Sequence, residues 1–86
     1  MTSREVRLRQ IAARLAFLQD QKQKIREQLP EQEAARDYAD KHDTAAEWYR
    51  ANVRVNEARR KLKRIDKEAG KLERERARLK AERKDA

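Results

Sequence analysis

The chain has no cysteine, one glycine, one proline and four aromatic residues in 86 positions. Without cysteine it has neither disulfides nor thiolate-held metal to brace a fold, and it suits a reducing, cytoplasmic setting. With so little glycine and proline it has few places to turn. No apolar run is long enough for a secretory signal or a membrane span, so no membrane partner is expected. With one histidine, no glycine-rich phosphate loop and neither G-x-S-x-G nor H-E-x-x-H, the chain offers no enzyme motif and no cofactor site. Asp37, Asp40, His42 and Asp43 are the nearest thing to a metal cluster. They read as a solvated acidic turn, because no second cluster completes a coordination shell.

What remains is charge and helix formers. Charged residues make up 47% of the chain and apolar ones 37%, with a net charge of +8. That balance alone would also fit a disordered segment. Periodicity decides otherwise, because the large apolar residues keep a helical repeat that a solvating tail has no reason to keep. Leu8, Ile11, Leu15, Leu18, Ile25 and Leu29 follow a heptad a/d seam interrupted at Lys22. Trp48, Val55, Leu62 and Ala69 at a, with Ala51, Ala58, Ile65, Leu72 and Leu79 at d, continue the pattern, and Arg76 takes the last a position. Two such seams call for partner helices.

The punctuation predicts three helices in one domain. The first begins near Ser3 and runs over 3 to 28. A turn at 28 to 30 follows, because Pro30 lacks the amide a helix interior needs and suits the first position of a new helix. A short middle helix covers 31 to 41. Thr44 with Glu47 forms a capping-box pattern that starts a long helix over 44 to 84; the alternative is one unbroken helix from Pro30 onward. The expected fold is an all-α antiparallel helical hairpin, or coiled coil, with a short middle helix and a long C-terminal helix. In that arrangement the last helix overhangs the first, leaves Leu72 and Leu79 without a partner, and so favours a homodimer. Interhelical charges mildly favour the antiparallel hairpin, which sets Arg7 and Arg14 near Glu75 and Glu68, over a parallel pairing with as many repulsions as attractions.

Charge is segregated along the chain. Residues 1 to 29 carry seven basic and three acidic groups, residues 30 to 50 three basic and six acidic, and residues 54 to 84 fourteen basic and six acidic. On the last helix the six consecutive outward c and f positions are Arg60, Arg64, Lys67, Lys71, Arg74 and Arg78. An ordinary solvated helix would mix both signs there. Here Arg60 and Arg64, Lys67 and Lys71, and Arg74 and Arg78 repel at i,i+4, a few tenths of a kcal/mol per pair. Six cations over eighteen residues cover about 27 Å, a length suited to a run of phosphates. The leading expectation is a small accessory nucleic-acid-binding protein gripping the phosphate backbone through that stripe, with Arg4, Arg7, Arg9 and Arg14 assisting. Asn52 and Asn56 lie off the stripe, so base reading has little support.

The alternative is a protein-interaction module, an adaptor or small inhibitor, that docks on a larger protein through Phe17, Tyr38, Trp48 and Tyr49, since aromatic residues in a charged molecule resemble interface anchors. A junction of three helices near Trp48 also accounts for those residues. Gly70, inside the long helix, costs about 1 kcal/mol against alanine and is either neutral drift or the mark of a bend or a close approach. No motif ties the chain to a known family.

Overall fold

The structure is a computed structural model that describes residues 2–42 and 44–84. It contains two helices of equal length, α1 (Ser3–His42) and α2 (Ala45–Lys84), each of 40 residues. They pack antiparallel into a rod of 65 × 15 × 14 Å, whose long axis matches the roughly 60 Å that 40 helical residues span.

The expected turn at 28 to 30 and the separate middle helix over 31 to 41 are not there. Pro30 sits inside α1. Two features let the helix pass through it. Pro30 is exposed, so water can serve the carbonyl one turn earlier that loses its donor. The heptad frame also runs straight through the proline: Ile25, Leu29, Gln32, Arg36 and Ala39 keep the a/d spacing and stay at least half-buried, so continuing the helix keeps one turn of seam after another against α2. Seam packing outweighs the local cost of the proline.

The chain reverses between α1 and α2 instead, and the Thr44 half of the expected capping box is formed, while the Glu47 carboxylate accepts from Arg50. The Glu47 amide donates to Thr44 Oγ1 at 3.3 Å and the Trp48 amide to the Thr44 carbonyl at 3.1 Å. The alternative of one unbroken helix from Pro30 onward is thereby excluded. At the other end the cap is Thr2, with the Glu5 amide donating to Thr2 Oγ1 at 3.2 Å. Both helices thus open on a threonine that satisfies an otherwise orphaned amide.

Equal helices leave no overhang. Arg7 pairs with Glu75, Arg14 with Glu68 and Glu33 with Arg59. That register sets Leu79 level with Leu8, Leu72 with Leu15 and Leu62 with Ile25, so the last leucines have partners from their own chain. The overhang that favoured a homodimer is gone.

The core is a thin seam. Ile11 and Val55 are 0% exposed, and Leu18, Ala39 and Ala58 complete the buried set. In register Ile11 stands level with Arg76 and Val55 with Gln32, long side chains whose aliphatic stems cover apolar neighbours. The described surface of 6861 Å² compares with about 5,400 Å² for a compact monomer of this mass, the cost of a rod shape.

Small residues open the seam at one level. A cleft of about 490 Å³ lies where Ala69 faces Leu18, bordered by Gly70, Ala16 and the Lys22 to Asp66 ion pair. Gly70 has ordinary helical geometry, and a methyl group there would meet only the Arg74 Nη1 at 3.6 Å. Packing therefore does not require glycine, and Gly70→Ala should raise stability by about 1 kcal/mol. A rise in the urea midpoint at constant slope is the expected result.

Candidate nucleic-acid interface

The side chains of Arg60, Arg64, Lys67, Lys71, Arg74 and Arg78 are all exposed, on the face of α2 turned away from α1. Among the described residues none of the six forms an ion pair. The reason lies in where the nearby acids are drawn. Glu68 is one turn from Arg64 and Lys71, and Glu75 one turn from Lys71 and Arg78, yet each reaches across the seam to an arginine of α1.

Those cross-seam contacts are bidentate. Arg7 donates from Nε and Nη2 to the two carboxylate oxygens of Glu75 at 2.6 and 2.8 Å. Arg14 does the same to Glu68 at 2.5 and 3.1 Å, and its guanidinium lies 5.0 Å from the centre of the Phe17 ring. Lys22, the charged residue in the α1 seam, reaches out to Asp66 at 2.6 Å. Three of the four acids flanking the stripe are thus turned toward α1, and the outer row is left with little compensation.

The hydrogen bond from Arg14 holds the Glu68 carboxyl below its ordinary pKa, and the bond from Arg7 does the same to Glu75, helped weakly by Arg78. A carboxyl whose pKa is depressed on folding adds stability above its unfolded value, and that stability is lost as pH falls through the folded value. Thermal unfolding should therefore be constant near neutrality and fall to lower temperature once the pH drops below the ordinary carboxylate range. Glu68→Gln with Glu75→Gln should flatten that part of the profile.

The assisting arginines divide. Arg7 and Arg14 are committed to Glu75 and Glu68. Arg4 is half-buried at the seam, with its Nε buried and unpartnered. Arg9 is exposed, on a different helix from the stripe. Two of the four thus pair with acids beside the cationic row instead of adding to it.

The aromatic residues do not form one surface. Trp48 is half-buried at the closed end of the hairpin. Among the described residues there is no third helix to make the expected junction around it. Tyr49 is exposed close by, and Tyr38 packs its ring 4.6 Å from that of His42. Phe17 lies 21 residues before Tyr38 on the same helix, about 31 Å away along its axis. Asn52 and Asn56 are half-buried beside the seam and off the stripe. Asp43 of the acidic turn lies outside the described residues, and among the described ones no group of three His, Asp or Glu side chains is placed to hold a metal. No described helix is long and apolar enough to cross a membrane.

No protein-family model matches the sequence, and neither a curated protein nor a solved structure matches the chain.

Proposed function

We propose that this protein is a small, non-catalytic accessory factor that binds the phosphate backbone of nucleic acid along the outer face of α2. The observation that carries the reading is the row of six exposed cations, with Asp66, Glu68 and Glu75 beside it engaged across the hairpin. Lys and Arg on such a row displace condensed counterions from a polyanion, which gives strong binding at low salt with little sequence information. Four of the six are arginines, whose planar fork matches two phosphate oxygens at once.

The expected homodimer has as its remaining support the surface in excess of a compact monomer. Nothing in the stripe requires a second copy, because all six cations lie on one helix of one chain.

The test is a fluorescence anisotropy titration of labelled duplex DNA, duplex RNA and single strands at low salt. Binding of at least one supports the reading, and the ranking names the ligand. Absence of binding to all of them would reduce the stripe to a solvated face.

A further inference from the structure

The two long sides of the hairpin differ. The side that carries the Arg7 to Glu75 and Arg14 to Glu68 pairs has an ion-pair ladder that stops halfway. Continuing at the same register, Gln21 faces Lys61 and Gln28 faces Arg54, so two cations stand opposite neutral amides. Among the described residues neither Lys61 nor Arg54 forms an ion pair.

Along this stretch the seam is open. Three clefts of about 190, 120 and 150 Å³ follow one another toward the closed end. The first and second share Ile25 and Lys61, and the second and third share Gln32 and Arg54, so they form one groove. Its floor is apolar, running from Leu18 and Ile65 past Ile25 and Ala58 to Ala35 and Ala51. Phe17, 49% exposed, stands at one end, and Tyr38, 61% exposed, lies just past the other. Gln32 Oε1, on the floor between the second and third clefts, is buried without a hydrogen-bond partner. A buried acceptor without a donor is unfavourable.

We propose that this groove seats an amphipathic helix of another protein, apolar at heptad spacing and acidic along the edge that meets Arg54 and Lys61. The clefts follow one another along residues 14 to 35 of α1 and 51 to 68 of α2, so a third helix laid along the seam meets them in turn. The groove is about 31 Å long, enough for a helix of about 20 residues. Glu31 and Glu57 border it on the outer shoulders together with Arg64, but the positions flanking the seam on α2 are the two cations. A second copy of this chain is the wrong occupant: two-fold packing through the groove sets Arg54 and Lys61 against their own counterparts, and like charges juxtaposed in an interface are repelled. The nucleic-acid stripe lies on the outer face of α2, so the hairpin can hold a protein on its side and a phosphate run on its back.

The test uses two labelled synthetic helices of about 20 residues, both with leucine at a and d, one with glutamate and the other with lysine at e and g. The glutamate helix is expected to bind at least about tenfold tighter than the lysine one. Arg54→Gln with Lys61→Gln should weaken it by at least about tenfold, and Lys67→Glu with Lys71→Glu and Arg74→Glu should leave it within about threefold. Circular dichroism checks that helicity is kept in each variant. Equal binding of both probes, no binding, or loss in the stripe variant alone overturns the proposal. So does a dimer in sedimentation that the glutamate helix fails to displace. None of these outcomes depends on whether the stripe binds nucleic acid.

Discussion

Reversing Lys67, Lys71 and Arg74 to glutamate is expected to lower nucleic-acid affinity by two orders of magnitude or more at about 50 mM salt, and to flatten the salt dependence by about three units of slope. The change takes the row from six positive charges to a net of zero. Local helix stability should change by no more than a few tenths of a kcal/mol, because glutamate at 67 and 74 gains Lys63 and Arg78 at i,i+4, whereas glutamates at 67 and 71 repel as the lysines did and glutamate at 71 also repels Glu75. The cross-seam pairs of Glu68 and Glu75 are left in place. A variant with unchanged or higher thermal stability and no binding assigns the effect to the stripe; a variant that binds as well as the parent removes the stripe from the interface.

The largest effect on folding is expected at Ile11. Its side chain is 0% exposed, and truncation to alanine in a packed core costs about 2 to 4 kcal/mol. With five buried apolar residues among those described, that is a large share of the 5 to 15 kcal/mol, roughly, that holds most domains folded. Phe17→Ala removes a bigger side chain but a half-exposed one, so it should cost clearly less. Urea unfolding followed by circular dichroism compares the two. A cost at Ile11 no greater than that at Phe17 would mean that the two helices are not closed on each other at that level.

The contrast between Ile11 and Phe17 was legible in the sequence, since Ile11 holds a d position and Phe17 falls outside the seam. The same frame gave the antiparallel pairs of Arg7 with Glu75 and Arg14 with Glu68, because g positions of antiparallel helices meet across the seam. It did not prevent two opposed roles for those arginines. A sequence records that an arginine is present, and only the packed hairpin shows that a carboxylate already holds it. The cationic row itself was legible from c and f spacing, but its lack of compensation was not, because that depends on which way Glu68 and Glu75 turn.

Pro30 shows the opposite failure. A local rule about a missing amide was set against a nonlocal gain, the seam that continues on both sides of the proline, and the gain wins. The signal was available, since Ile25, Leu29, Gln32, Arg36 and Ala39 never lose the heptad frame. The expected overhang fell with the same misreading. The g positions that pair Arg7 with Glu75 also put Gln21 and Gln28 opposite Lys61 and Arg54, so that part of the groove was written in the sequence; that the seam opens there was not, because it depends on how the side chains pack.

The salt dependence of binding to the preferred nucleic acid is the most direct test of the claim that the outer row of α2 grips a phosphate backbone. Measured by anisotropy between about 50 and 200 mM salt, log K is expected to fall linearly with log salt at a slope of about −5 on a duplex, as six cations each displacing about 0.9 of a counterion require. A slope shallower than about −2 would mean that at most two phosphates are engaged, and would contradict the account.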